Sequence, residues 1–91
     1  MTRDIALVVD REVLADDLVQ TIKKAANKLL QTVEVFDIYE GKGVEEGKKS
    51  VAISLYYLDR EKTLTDEDVA KVHDVILKEL AENLNANLRS N

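Results

Sequence analysis

The chain has 91 residues, of which 45% are hydrophobic and 34% are charged, and its net charge is −5 at pH 7. This length suffices for one domain with a single modest core, and the acidic balance argues against a protein whose affinity comes mainly from nucleic-acid phosphates. The absence of cysteine excludes disulfides and thiolate metal sites and agrees with a reducing cytoplasm, and no apolar run approaches the roughly 20 residues that span a bilayer.

The first part of the chain predicts a strand and then a helix. Residues 4–10 (DIALVVD) alternate in the manner of a half-buried β-strand. The core-facing set is Ile5, Leu7 and Val9, and the opposite set is Asp4, Ala6 and Val8. From residue 14 to residue 30, apolar side chains recur at the spacing of an amphipathic helix: Leu14, Leu18, Ile22, Ala25 and Leu29.

A hairpin with a long loop follows. Residues 33–39 (VEVFDIY) predict a second strand, with Phe36 and Ile38 in the core. The other face of this strand would carry Val35, Asp37 and Tyr39. The loop is marked by Gly41, Gly43 and Gly47, and residues 50–58 (SVAISLYYL) predict a third strand. Its core set is Val51, Ile53, Leu55 and Tyr57, and its opposite set is Ser50, Ala52, Ser54 and Tyr56.

The last third of the chain predicts a second helix and a short edge strand. Thr65 stands three residues before Asp68, as in a capping box, and acids in the first turn suit the helix dipole. The buried stripe would consist of Val69, Val72, Ile76, Leu80 and Leu84. Six acids against two lysines give residues 65–84 a charge of −4, most of the net −5. In the closing ANLRS, Leu88 would reach the core and Arg89 would face the other way.

The element order is β-α-β-β-α-β, which predicts an α+β fold of the ferredoxin-like type. In this fold a four-stranded antiparallel sheet carries both helices on one face and leaves the other face to water or to a partner. We expect residues 1–91 to form a single domain of this kind.

The uncovered face would be a floor of small residues with polar and aromatic edges. Strand parity assigns to it the opposite sets named above, together with Arg89. A flat surface with hydrogen-bonding groups and little bulk suits unstacked bases that are read on their edges. A simpler alternative stays open at this point, because antiparallel sheets commonly expose one mixed polar face that has no function.

Five segments of the chain resemble the ferredoxin-fold anticodon-binding domain in order and spacing. They are RDIALVVD, LLQTVEVFDIYEG, GKKSVAISLYY, KTLTDEDVAKVHDVI and the closing LR, and they run from Arg3 to Arg89. That family forms the C-terminal domain of the bacterial phenylalanyl-tRNA synthetase beta subunit and of the single-chain organellar enzyme. The resemblance implies that the uncovered sheet face binds the anticodon stem-loop of the phenylalanine tRNA.

The resemblance also implies roles for individual residues. In the family, the aspartate after the phenylalanine, the serine that opens the next strand and the arginine near the C-terminus contact the anticodon; here these are Asp37, Ser50 and Arg89. All three belong to the face that strand parity leaves uncovered. Residues that would lie near enough to help, by phosphate contact or by stacking, are Arg3, Tyr39, Lys48 and Lys49.

The family segment usually has an aromatic-proline element before its arginine-aspartate pair, whereas this chain begins with Met1 and Thr2. We therefore expect a domain excised from the C-terminus of a larger subunit. Its partners would be the phenylalanine tRNA, the rest of the beta subunit and the alpha subunit, in the cytoplasm and without a membrane. Because an acidic piece lacks the field to hold tRNA tightly, affinity would come largely from other domains. We expect no cofactor in this domain; ATP and magnesium would be used by other parts of the synthetase.

No catalytic constellation is expected. His73 is the only histidine and falls beside the apolar stripe of the second helix, which favours a structural role over a metal or nucleophile site. The helix dipole explains Asp66, Glu67 and Asp68 more simply than a divalent cation does. The loop EGKGVEEGKK lacks the spacing of a phosphate-binding loop.

Two alternatives to RNA binding remain at this point. A ferredoxin-like domain can also bind a regulatory small molecule or dimerise, and fold alone does not decide between functions. An acyl-phosphate hydrolase on the same architecture would need a loop that gathers an arginine and an asparagine round phosphate. No such loop is evident, since Asn27 and the asparagines from residue 83 onward sit in or after helices.

Overall fold

The two central strands of the sheet each have one apolar side, and this alternation decides how the elements assemble. The computed structural model describes residues 1–26 and 28–89. In chain order the elements are β1 (Thr2–Asp10), α1 (Ala15–Ala25), β2 (Leu30–Tyr39), β3 (Lys48–Tyr57), α2 (Asp66–Leu84) and β4 (Asn87–Leu88). The strands form one antiparallel sheet in the order β2-β3-β1-β4. The predicted ferredoxin-like α+β fold is confirmed.

The core lies between one face of this sheet and both helices. β1 and β3 pair without a break from Thr2 opposite Tyr56 to Asp10 opposite Lys48, so one parity faces the helices along both strands. The buried strand residues are Ile5, Leu7, Val9, Val51, Ile53, Leu55 and Tyr57, and the helices add Leu18, Ile22, Val69, Val72, Ile76 and Leu80. The other face of the sheet, which neither helix covers, is called the open face below.

Tyr57 has the largest fully buried side chain. Its hydroxyl oxygen lies 3.5 Å from Nδ1 of His73 on α2, so this pair links the sheet to the helix. Burial raises the pKa of Tyr57 to about 12 and is also the main cause that lowers the pKa of His73. His73 thus lies beside the core, where the helical period had placed it.

α2 begins with the capping box that the sequence predicts. The Thr65 hydroxyl accepts a hydrogen bond from the Asp68 N–H, and the Asp68 carboxylate accepts one from the Thr65 N–H, each at 3.2 Å. The second of these bonds is the main reason why the pKa of Asp68 lies below its ordinary value. Asp66 accepts from the Arg3 guanidinium at 3.0 Å. Capping and ion pairing therefore account for these acids at the start of the helix.

α1 is shorter than predicted. The apolar period indicated a helix as far as residue 30, but Ala26 is extended (φ −79, ψ 158) and β2 begins at Leu30. Leu14 is the N-cap residue and is 63% exposed, so it does not belong to the buried stripe. Leu29 packs against the core from the turn before β2, and this packing is why its spacing imitated a longer helix. Asn27 lies outside the described residues.

A β-bulge at Phe36 overturns the predicted parity of β2. Val35 lies opposite Ile53, whereas Asp37 lies opposite Ala52, so one extra residue stands between the two pairs. Val35 consequently packs against the core, and Phe36 is 57% exposed. The predictions of Phe36 in the core and Val35 on the open face are both wrong.

The same bulge brings Asp37 and Tyr39 to the open face. Simple alternation from the core-facing Val35 would turn both of them toward the helices. After the bulge, Tyr39 lies opposite Ser50, and the predicted open-face placement of both residues is confirmed. The cause is the bulge and not simple alternation. Ile38 between them has the core parity, but it lies near the end of an edge strand and is 51% exposed. Its predicted place in the core is therefore wrong as well.

The last strand contains only Asn87–Leu88 and pairs with β1. Leu88 lies opposite the buried Leu7 and so has the core parity, but it is 52% exposed, so its predicted place in the core is wrong. Ala86, just before the strand, is 2% exposed and belongs to the core. The Arg89 N–H donates to the Ala6 carbonyl at 2.8 Å, which continues the antiparallel pairing beyond the strand. This register places Arg89 on the open face, as predicted.

We expect Phe36→Ala to lower the free energy of unfolding by about 1 kcal/mol, because a half-exposed ring has little apolar burial to lose. The control Ile53→Ala removes a fully buried side chain, and it should cost about 2–5 kcal/mol. Chemical denaturation followed by circular dichroism measures both values. A loss of about 3–5 kcal/mol for Phe36→Ala, as for a core phenylalanine, would contradict the bulged register.

Candidate functional site

Four of the seven residues singled out from the sequence lie in two adjacent rows across the open face. The first row, from β2 to β1, is Tyr39, Ser50 and Val8. The second row, from β2 to the end of β4, is Asp37, Ala52, Ala6 and Arg89. These rows lie at the end of the sheet next to the β2–β3 loop, and together they are called the two-row site.

Tyr39 and Arg89 meet above these rows although they start at opposite edges of the sheet. Cζ of Arg89 lies 5.7 Å from the centroid of the Tyr39 ring, within the roughly 6 Å of a cation–π contact. The Tyr39 hydroxyl donates a hydrogen bond to the Lys42 carbonyl at 2.8 Å, which fixes the ring against the loop. The two side chains can approach each other because Ala6 and Ala52 between them are small.

Asp37 offers an exposed carboxylate at the edge of the site. Within residues 1–26 and 28–89 its side chain has no hydrogen-bond or ion-pair partner. Arg89 stands at the other end of the same row, but its guanidinium lies over the Tyr39 ring and does not pair with Asp37. An ionised carboxylate has two acceptor oxygens and no donor, so Asp37 can receive two parallel N–H groups from a ligand.

Ser50 is shielded although it belongs to the open face. It is 4% exposed and lies between Tyr39 and Val8 in its row. Its hydroxyl can donate and accept a hydrogen bond.

Arg3 does not join the two-row site. It lies opposite the core residue Leu55, hence on the helix side of the sheet, and its guanidinium is 3.0 Å from the Asp66 carboxylate on α2. It also lies five residues from Val8 along β1, a distance of roughly 17 Å in a strand. Sequence reasoning grouped Arg3 with the anticodon residues, and the structure separates them.

Lys48 and Lys49 lie beside the site and face opposite ways. Nζ of Lys48 lies 3.0 Å from the Asp10 carboxylate on the open side, and this hydrogen bond is the main cause that raises the pKa of Lys48. Lys49 lies opposite the core residue Val9 and so points to the helix side. Of the two, only Lys48 adds a positive charge to the open face, where Asp10 partly offsets it.

The acidic helix lies behind the sheet. α2 packs on the face opposite the two-row site, and its segment carries most of the net negative charge. The packed core therefore separates these charges from the two-row site. Most of the net charge of −5 thus lies away from the open face.

Other side-chain clusters form no second site in the described part of the chain. Residues 1–26 and 28–89 contain no group of three histidine, cysteine or acidic side chains that could hold a metal ion. Arg11, in the turn after β1, is paired with Glu40 at 2.7 Å. No helix among these residues has the length and apolarity needed to cross a membrane.

Sequence reasoning missed the β2–β3 loop as a part of the site. The Lys42 carbonyl holds the Tyr39 hydroxyl, and Gly43 lies against the Arg89 guanidinium. A backbone carbonyl has no sequence signature, and the glycines were interpreted only as hairpin residues. The bulge did have a signal, since the apolar residues change from odd positions to even ones between Val35 and Phe36.

Comparison with known proteins identifies the family. The model of the ferredoxin-fold anticodon binding domain matches residues 1–89. The chain belongs to this family. The resemblance drawn from the five sequence segments is thereby confirmed.

The curated relatives of this anticodon-binding domain are subunits of a tRNA ligase. The phenylalanine–tRNA ligase beta subunit of Bacillus licheniformis is 57% identical over 89 residues, that of Bacillus subtilis 54% over 89, and that of Clostridium tetani 49% over 87. These alignments cover 98%, 98% and 96% of the chain. The chain spans 11% of the length of each relative.

Because the Arg89 side chain lies on the surface of the anticodon-binding domain, we expect Arg89→Ala to lower the free energy of unfolding by no more than about 1 kcal/mol. Its backbone bond to Ala6 does not depend on the side chain. The control Leu7→Ala removes a fully buried side chain from the neighbouring strand, and it should cost about 2–5 kcal/mol. Urea denaturation measures both, and equal losses would make Arg89 a structural residue.

Proposed function

We propose that the chain is the anticodon-binding part of a phenylalanyl-tRNA synthetase beta subunit and that its open face binds the anticodon loop of the phenylalanine tRNA. The observation that carries the proposal is the two-row site. There a free carboxylate, a shielded hydroxyl, an aromatic ring and a guanidinium converge over a floor of alanines. Single-stranded bases are recognised by these groups, through hydrogen bonds to their edges and stacking on their faces.

Asp37 is the proposed reader of the first anticodon base. Phenylalanine anticodons begin with guanine, whose Watson–Crick edge presents N1–H and N2–H as parallel donors. The unpaired carboxylate of Asp37 can accept both. Adenine presents an acceptor at N1, so the same carboxylate would repel it, and the pairing would discriminate between the two purines.

Tyr39, Arg89 and Ser50 would hold the loop around that base. The ring of Tyr39 offers a stacking face, and the guanidinium can stack on a base or donate to a phosphate. Ser50 can donate to or accept from a base edge that enters between them. Each group reaches the open face from a different strand, so a bound loop would lie across the sheet.

The charge distribution supports a division between recognition and affinity. The net charge is −5, and Lys48 on the open face is already paired with Asp10. The open face therefore has few free cations for phosphates, and tight binding of tRNA would depend on other parts of the synthetase. The proposed partners are accordingly the tRNA, the rest of the beta subunit and the alpha subunit, with aminoacylation performed elsewhere in the enzyme.

The two alternatives have less support. The family match and the names of the relatives favour RNA binding over a regulatory or dimerisation role. An acyl-phosphate hydrolase would need an arginine free to bind phosphate in a loop. Arg11 occupies the turn after β1, and Glu40 already engages it at 2.7 Å.

We expect Asp37→Asn to abolish a preference for guanine over adenine at the first anticodon position, because an amide group can point a donor at guanine N1–H. Bidentate base contacts discriminate by about 1–3 kcal/mol, or roughly 5- to 150-fold in Kd. NMR titration of the chain with two stem-loops that differ only in this base measures the ratio of the two dissociation constants.

The matched control for this variant is Asp4→Asn. Asp4 is an exposed acid on the same face, opposite Ser54, and it lies roughly 12 Å from Asp37 by strand geometry. This control loses the same charge and should keep the guanine preference. If Asp37→Asn keeps the preference as well, Asp37 is not the reader of the base.

A further inference from the structure

The loop between β2 and β3 forms one wall of the two-row site. The Tyr39 ring is tied to this loop through the hydrogen bond from its hydroxyl to the Lys42 carbonyl at 2.8 Å. The next residue along the chain is Gly43, with φ of +92. A Cβ built at this position would lie 3.3 Å from Nη2 of Arg89, closer than an ordinary van der Waals contact. The guanidinium is thus seated between the Tyr39 ring and the backbone of Gly43.

Gly47 provides an internal reference in the same loop. Its φ is +85, so its backbone makes nearly the same demand for glycine as that of Gly43. A Cβ at Gly47 would meet nothing within 4 Å. The two glycines therefore differ in one respect that concerns the site, namely the presence of Arg89 beside Gly43.

We infer that Gly43 is a positioning residue for Arg89. Its lack of a side chain lets the guanidinium rest on the Tyr39 ring, and this contact holds the long arginine side chain across β1 and β3 before any ligand arrives. A preorganised side chain loses less conformational freedom when it binds, which increases affinity without a new contact. The consequence of this placement for RNA binding rests on the proposed function. The placement of Arg89 in the free domain does not depend on that function.

The first measurement concerns the free protein. Side-chain protons of Arg89 near the Tyr39 ring should show ring-current shifts in NMR spectra of the 91-residue chain. Gly43→Ala should move these shifts toward their values in the Tyr39→Leu variant, which has no ring. Gly47→Ala should leave them unchanged. Both alanine variants should lower the melting temperature by a similar amount, because both place a Cβ at a positive φ. Equal Arg89 shifts in the two alanine variants would overturn the inference.

The second measurement is a double-mutant cycle on the affinity for the phenylalanine anticodon stem-loop. Gly43→Ala should weaken binding about two- to fivefold relative to Gly47→Ala, the range that corresponds to an exposed cation–π contact. In an Arg89→Ala background, the two glycine variants should bind equally, because Gly43 acts through Arg89. A Gly43 effect that persists without Arg89 would contradict the positioning role, and so would equal affinities in the native background. Failure of the unmodified chain to bind the stem-loop would instead contradict the proposed function. The Arg89 shifts of the free protein would still decide whether Gly43 positions Arg89.

Discussion

The unbroken pairing of β1 with β3 decides which side chains of this domain can meet a ligand. From Thr2 to Asp10 each residue of β1 has a partner on β3, and one parity of both strands is buried under the helices. A slip of one residue would expose that whole set, so burial holds the register. Since α1 and α2 both lie on the buried side, the other parity forms the open face, and the small residues Ala6 and Ala52 at its centre make that face a shallow floor.

Much of this arrangement could be predicted because it depends on local periodicity. The alternation along β1 and β3 indicated the buried set, and the capping box at Thr65 marked the start of α2. The predictions failed where the pattern of one segment had two physical explanations. Leu29 kept a helical spacing while packing from a turn, and Phe36 appeared to be a core residue because apolar side chains on a bulged strand do not share one face.

The contacts that connect distant parts of the open face could not be predicted. Arg89 and Tyr39 come from opposite edges of the sheet, and their contact depends on the reach of two long side chains over small neighbours. The Lys42 carbonyl is a backbone group, which every residue has. The role of Gly43 depends on the absence of a Cβ atom beside Arg89, which the sequence alone does not place there. These features turn a list of candidate residues into a partly preorganised surface, in which Asp37 is free and the arginine is already seated.

We propose that the open face, and not the helical face, meets RNA. Chemical-shift mapping of the 91-residue chain with the phenylalanine anticodon stem-loop tests it most directly, with a stem-loop of scrambled loop sequence as the control. We expect the perturbed amides to cluster at Asp37, Tyr39, Ser50, Ala52 and Arg89, with smaller changes for the scrambled loop. Perturbations confined to α2, or equal for both loops, would contradict it.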